Sequence, residues 1–209
     1  LKSVTIQKTK CNGYFYKNIS GTQDYNSSYQ KFILSSGLKF NKIEINMDLE
    51  KENSNCYILS GLILGKEEHQ EIKTQINHLV PNCKSYQKIK NVLENDSTGV
   101  YQGKIFVKDI AQKTDAYQLS KALILDDRAE FNAKPELEIY ADDVKCSHGS
   151  TSGCIDEDAI HYLMTRGIEL PAAKKLLING FISEMFENIP EEKLKVFLEK
   201  SIMEQVDGI

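Results

Sequence analysis

The sequence places a thiol and an imidazole two residues apart, at Cys146 and His148. The preceding residues, from Pro135 onward, are typical of a strand. Residues two apart on an extended strand project from the same face, so these two side chains would share one. A thiolate and an imidazole both bind iron or zinc, but a closed tetrahedral site needs four ligands. The pair therefore indicates half of a metal site, and the other ligands must come from elsewhere.

Two further pairs of polar residues carry weaker signals. His78 and Cys83 lie on either side of a turn at Pro81 and could converge, although such pairs are more often incidental. Asp142 and Asp143 are neighbours, and neighbouring strand residues point to opposite faces. They do not form the paired carboxylates of acid–base catalysis. These pairs give no indication of an enzyme.

Composition and charge narrow the class of protein. The 209 residues carry 30 acidic and 26 basic side chains, a net charge of −4. This balance disfavours nucleic acid and anionic membranes, both of which attract basic patches. The five cysteines are widely spaced without a CxxC motif, which indicates reduced thiols and a cytoplasmic protein. Apolar runs are too short to span a membrane, no secretory signal is evident, and the start at Leu1 suggests a truncated chain.

Residues 29–147 are predicted to form about eight short strands with no helices between them. This pattern excludes a βαβ sheet and leaves a sandwich, a barrel or a solenoid. A period of about 15 residues per strand and turn favours a wound parallel β-helix, whose coil ends need caps. Residues 1–28 are weakly specified: short strands are predicted at Val4–Ile6 and Tyr14–Tyr16, and a turn or disorder from Gly21 to Ser28. The predicted strands cover 31–34, 38–47, 56–64, 72–79, 86–93, 100–107, 117–125 and 137–140.

Three helices are predicted after the sheet, as a hydrophobic end cap. Asp156 would cap a helix that runs to Arg166, with Gly167 after its end, and Pro171 and Pro190 would open the second and third helices. The boundary falls near Gly153, which gives a β-helix core over 1–153 and a helical domain over 154–209. Cys154 is interpreted as a packing residue and His161 as solvent-facing. The residues expected to face inward are Ile160, Leu163, Met164, Leu176, Leu177, Phe181, Met185, Leu194, Phe197, Leu198 and Ile202.

The run from Leu137 to Thr151 closely resembles the SufB/SufD family of iron–sulfur cluster assembly proteins. Matching segments occur on both sides of this run, so the resemblance covers roughly residues 58–186. Within the family the chain resembles the SufD branch, because Gly149 stands where SufB chains carry Glu and no cysteine lies between Cys83 and Cys146. The family's usual N-terminal helical region is not found. The other matching segments are His78–Pro81, Tyr101–Ile105, Ala111–Gln118, Asp156–Ala159 and Tyr162–Ile168.

The resemblance implies a right-handed parallel β-helix followed by a small helical domain. It also implies a non-catalytic subunit that pairs with a SufB-like paralogue and a SufC-like ABC ATPase. His148, and less securely Cys146, would line the interface where a transient iron–sulfur cluster or iron is shared with the paralogue. The ATPase would dock on the helical domain, where Arg166, Glu169, Lys174 and Lys175 are the candidate residues.

Three alternatives follow from the residues alone. Cys146 could be a buried small hydrophobe and His148 an ordinary surface residue. The chain could be a self-assembling structural β-solenoid that forms a homodimer in isolation. It could also be a stand-alone β-helix enzyme such as a polysaccharide lyase or esterase. Such an enzyme would need a convergent set of carboxylates, Arg or a bound cation on one coil face, and the acidic residues here are scattered through turns.

Overall fold

The chain forms parallel strands, along which buried and exposed side chains alternate, and these strands wind into a solenoid. The computed structural model describes residues 1–8, 11–186 and 189–207. None of the helices in these segments is long and apolar enough to cross a membrane. The strands are β1 (Lys2–Gln7), β2 (Cys11–Gln23), β3 (Ser28–Ser36), β4 (Leu38–Leu49), β5 (Asn55–Leu64), β6 (His69–His78), β7 (Lys84–Leu93), β8 (Thr98–Val107), β9 (Asp115–Ile124), β10 (Glu130–Ile139) and β11 (Lys145–Cys154).

Each strand pairs in parallel with the strand two positions along the chain. The odd-numbered strands form a six-stranded sheet in the order β1-β3-β5-β7-β9-β11, and the even-numbered strands form a five-stranded sheet in the order β10-β8-β6-β4-β2. One coil therefore contains one odd and one even strand, which is two of the predicted strand-and-turn units. The parallel β-helix predicted from the period is confirmed.

The interior of the solenoid is filled by alternate residues of the central strands. Ile43, Ile58, Ile72 and Ile89 are all at most 1% exposed and belong to one hydrophobic cluster. Fully burying such a side chain contributes about 1.5–3 kcal/mol before the entropic cost of ordering it. Stacked rows of aliphatic side chains thus hold the coils in register.

Asparagine residues recur at one corner of the coil in the left-handed conformation. Asn26, Asn53 and Asn82 have φ of 53°, 60° and 61°, and Lys113 follows with φ of 59°. Asparagine tolerates this region better than most residues because its short polar side chain can bond to the nearby backbone. The corner of the later coil is therefore the strained member of the series.

We expect Lys113→Asn to raise the free energy of unfolding by about 0.5–1 kcal/mol, because asparagine adopts the left-handed conformation at lower cost than lysine. Chemical denaturation of the two proteins side by side measures the difference. Lys66→Asn, at an exposed turn position without a positive φ, should leave stability unchanged within about 0.5 kcal/mol. A Lys113→Asn variant no more stable than the parent would contradict this account.

The first 28 residues belong to the solenoid. The predicted short strands are confirmed and are longer than expected, since β1 spans Lys2–Gln7 and β2 continues to Gln23. The turn or disorder expected from Gly21 onward is therefore wrong for its first three residues. Pairing of β2 with β4 supplies backbone partners that override the local turn preference, and Met47 fills the space beside Gly21.

Three helices and one 3-10 turn follow the last strand: α1 (Glu157–Thr165), α2 (Leu170–Ser183), the 3-10 turn (Glu184–Phe186) and α3 (Glu192–Val206). The predicted start and end of α1 are confirmed. The side chain of Asp156 accepts a hydrogen bond from the Ala159 amide at 3.1 Å, and Gly167 has φ of +86°. The inward faces were predicted less well, because Met164, Leu176 and Phe197 are exposed.

Helices α2 and α3 cover the side of the solenoid, so the expected end cap is wrong for them. Ile178 and Ile182 of α2 and Leu198 and Ile202 of α3 share a hydrophobic cluster with outward-facing residues of the six-stranded sheet. Those outward-facing residues are apolar and would otherwise meet water, which explains why the helices pack there. They are Phe32, Leu34, Ile63 and Val92.

Candidate functional site

The last coil of the solenoid ends in two edge strands, β10 and β11. β11 pairs with β9 and β10 pairs with β8, and no other strand of the described residues pairs with either of them. Pro135 lies within β10. Proline has no backbone N–H to donate to a neighbouring strand, and its place inside a strand is typical of a sheet edge. Next to this edge Tyr140 is 64% exposed. Exposed edges of this length invite another chain to pair with them.

Cys146 and His148 lie on the same row of β11. Their partners on β9 are Ala116 and Gln118, and both of those side chains point into the solenoid and are buried. The alternation predicted from the sequence therefore holds at this strand. No further strand of the described residues stacks on β11, so His148 is exposed. Its register partners in the two preceding coils are Gln118 on β9 and Gln87 on β7.

Cys146 is the more enclosed of the two residues. It is half-buried and packs against the small cluster that contains Val107, Ala116 and Ala141. Burial raises the pKa of its thiol, so the thiol is protonated at neutral pH unless a cation displaces the proton. His148 is therefore the more accessible of the two side chains.

The two residues do not complete a metal site by themselves. No group of three or more His, Cys, Asp or Glu side chains suitable for a metal ion occurs in the part of the chain that the structure describes. An imidazole and a thiol from one strand can supply at most two of the four ligands of a tetrahedral centre. A metal held by these two side chains would need further ligands.

His78 and Cys83 do not form a second centre. His78 Nε2 lies 2.9 Å from Ser85 Oγ, while Cys83 Sγ lies 3.2 Å from Ser54 Oγ. Burial lowers the pKa of His78 to about 4, so its ring is neutral at physiological pH. The two side chains are separate buried polar contacts.

The exposure of the Cys154 and His161 side chains tests how these two residues were interpreted from the sequence. Cys154 is exposed at the end of β11, so its assignment as a packing residue is wrong, whereas His161 is exposed on α1 as expected. All five cysteines are free. A side chain at position 149 would project from the face opposite His148, toward Leu119.

A charged cluster that was not predicted from the sequence lies where the helices meet the sheet. Lys90 Nζ, with a side chain 0% exposed, donates to Glu184 Oε2 at 2.5 Å and also contacts the Phe181 carbonyl. Lys88 Nζ donates to Glu184 Oε1 at 2.7 Å, and Lys121 Nζ lies 3.9 Å from the same oxygen. We call these four charged residues the Glu184 cluster. The signal that could have revealed it is the pair of lysines two apart within an otherwise buried strand.

The four residues considered for ATPase docking lie on α2 or between α1 and α2. Arg166, Glu169 and Lys174 are exposed, and the Arg166 guanidinium lies 5.2 Å from the centre of the Tyr162 ring. Lys175 is half-buried, and its Nζ lies 3.3 Å from the Asp207 carbonyl oxygen. Three of the four side chains are thus accessible to a partner, and Lys175 is partly engaged within the chain.

The described residues define a parallel β-solenoid with laterally packed helices, open edge strands, and a thiol and an imidazole on one face of the last strand. Comparison with known proteins agrees with this class. A family model described as the SUF system FeS cluster assembly SufBD core domain matches residues 1–181. The chain belongs to the SufB/SufD family of iron–sulfur cluster assembly proteins, as the resemblance predicted.

Individual relatives support the same assignment. The chain is 40% identical over 147 residues to the iron–sulfur cluster assembly protein SufD of Escherichia coli, covering 70% of this chain and 35% of the relative. It is 32% identical over 173 residues to a SufBD family protein of Synechocystis, covering 83% and 38%. It is 31% identical over 196 residues to the chloroplastic protein ABCI7 of Arabidopsis thaliana, covering 93% and 41%. The chain thus spans little more than a third of the length of these relatives.

Proposed function

We propose that this chain is the SufD-like, non-catalytic subunit of a cytoplasmic assembly complex, and that its open edge pairs with a SufB-like paralogue. The observation that carries the proposal is the position of His148, exposed on an edge strand of a family member. A second solenoid that pairs with β10 and β11 would satisfy their free backbone groups. It would also bring its own ligands to His148 and Cys146.

In this proposal the iron–sulfur cluster is cargo shared across the interface. His148 supplies an accessible imidazole, and Cys146 becomes a thiolate ligand when iron displaces its proton. The missing ligands come from the paralogue and from cluster sulfide. The chain forms no covalent bond with a substrate, and a SufC-like ABC ATPase supplies the energy for rearrangement. The free thiols agree with a reducing, cytoplasmic location.

The test is anaerobic co-purification with a SufB-like and a SufC-like protein, followed by cluster reconstitution. We expect His148→Ala to keep both partners and to lose cluster absorption by more than about tenfold, the scale of losing a metal-site residue. His161→Ala removes an exposed histidine from α1 and should keep the cluster. If the chain binds neither partner and forms only a homodimer, the structural solenoid is the better account.

The same complex tests the ATPase surface. We expect Lys174→Glu to weaken binding of the SufC-like ATPase by roughly tenfold, because it reverses a charge on the exposed face of α2. Lys66→Glu makes the same charge change at an exposed turn of the solenoid and should have no effect. Affinity measured by biolayer interferometry separates the two. Equal affinities for both variants would place ATPase docking elsewhere.

A further inference from the structure

A buried hydrogen-bonded pair lies directly beneath the candidate site. The Tyr101 hydroxyl, on a side chain that is 0% exposed, donates to Gln118 Oε1 at 3.1 Å. The same hydroxyl lies 3.5 Å from both Thr74 Oγ1 and Gln87 Oε1. The segments that contain Tyr101 and Gln118 are among those that carry the family resemblance, yet nothing in the proposed function uses them.

The Tyr101–Gln118 pair packs directly against the backbone of Gly103. A Cβ atom at Gly103 would lie 2.2 Å from Tyr101 Oη and 2.3 Å from Gln118 Oε1. Such distances are far below van der Waals contact, so any side chain at position 103 displaces the pair. The glycine is explained by this close approach.

Gln118 also reaches the free edge of the solenoid. Its Nε2 donates to the backbone carbonyl of Glu136 on β10 at 3.2 Å. Gln118 is itself on β9, where it is the register partner of His148 on β11. The Gln118 side chain therefore links Tyr101 on β8 to the backbone of β10. Its own strand, β9, pairs with β11.

We propose that Tyr101 and Gln118 are positioning residues that hold the last coil, and with it His148, in the geometry needed at the interface. This inference rests on the proposed function. An apolar residue at position 118 would leave the Glu136 carbonyl without its partner in the solenoid wall and would free β10 to move. A neutral amide can instead accept from Tyr101 and donate to Glu136 at once, without burying a charge.

The first measurement uses the intact chain and hydrogen exchange resolved by segment. We expect Gln118→Met, which keeps length but cannot make the two hydrogen bonds, to speed exchange in β10 and β11 by roughly tenfold. Exchange in β3 to β7 should be unchanged. Tyr101→Phe removes only the hydroxyl and should act in the same direction with smaller amplitude. Adding Tyr101→Phe to Gln118→Met should give little further change, because both break one network.

The second measurement reports on His148 itself. We expect the imidazole C2 proton of His148, assigned by its loss in His148→Ala, to shift in Gln118→Met, while that of His161 stays in place. In the complex with the SufB-like and SufC-like proteins, Gln118→Met should keep its partners and lose cluster by several-fold. A core-filling role alone would leave both the His148 resonance and the cluster yield unchanged.

The outcomes separate this inference from the proposed function. Exchange and the His148 resonance at wild-type values in Gln118→Met would overturn the positioning role, even if His148→Ala abolished the cluster. Faster exchange limited to the last coil with a shifted His148 resonance would support it, even if the wild-type complex held no cluster. Exchange that rises equally throughout the solenoid would also overturn it, since the pair would then serve global stability.

Discussion

Glu184→Gln is expected to lower the free energy of unfolding by about 2 kcal/mol. Lys90 is fully buried, and the Glu184 carboxylate faces it, Lys88 and Lys121. Breaking a buried ion pair by removing one partner costs about 3–5 kcal/mol, and the 38% exposure of Glu184 reduces that figure. Chemical denaturation measures the difference, with Glu169→Gln as a control that removes an exposed carboxylate just before α2.

The loss of stability in Glu184→Gln comes mainly from the Lys90 ammonium, which stays buried without its carboxylate partner. Burial lowers the pKa of Lys90, and the hydrogen bond to Glu184 offsets part of that effect. Adding Lys90→Met to Glu184→Gln should therefore recover part of the lost stability, since the most deeply buried of the lysine charges is then removed. If the double variant is less stable than Glu184→Gln by the full effect of Lys90→Met alone, the two side chains are not coupled.

The stabilisation by Glu184 should depend on pH in the acid range. Hydrogen bonds from Lys88 and Lys90 lower the pKa of Glu184 to about 2, from an ordinary value near 4.5. A lowered carboxylate pKa means that the unfolded chain binds more protons than the folded one at acid pH. The contribution is complete above pH 4.5 and is lost as the pH falls toward 2. The stability difference between wild type and Glu184→Gln should shrink over that window, and a constant difference would contradict the assigned pKa.

Local pattern was enough to predict the strands and the start of the first helix. The alternation of Lys39 to Met47 reports which face is buried, and the Asp156 cap is decided within four residues. The placement of Cys146 and His148 on one face follows from the same two-residue period. Each of these features depends on neighbours in sequence.

Features that depend on distant residues could not be predicted in this way. Lys90 and Glu184 are 94 positions apart, so two lysines in a strand do not reveal their partner. The helices were expected at the coil end because a solenoid needs caps, but the sequence does not show that Phe32 and Val92 make the outer sheet face apolar. The role of Gly103 likewise depends on Gln118, which reaches it from another strand.

Gly61→Val is expected to lower the melting temperature by roughly 4–8 °C, the effect of about 2 kcal/mol in a domain of this size. Gly61 lies on β5 beneath the helices, and a Cβ there would be 2.9 Å from Met185 Cε and 3.2 Å from Ile182 Cγ2. A valine adds two further methyl groups to that space. Overpacking of this kind costs about 1–3 kcal/mol, and the better strand propensity of valine offsets up to about 1 kcal/mol.

Gly153→Val provides the matched control, because a Cβ at Gly153, on β11, meets no atom within 4 Å. It should leave the melting temperature unchanged or slightly raised.

The shape of the Gly61→Val transition carries further information. Ile182 and Met185 share one cluster with Phe32 and Leu34, so displaced helices would uncover apolar sheet surface. We therefore expect helices and solenoid to melt together in one transition. Two transitions, with the helices lost first, would show that the helical region can move independently of the solenoid, and a force applied to those helices would then not be transmitted to the open edge.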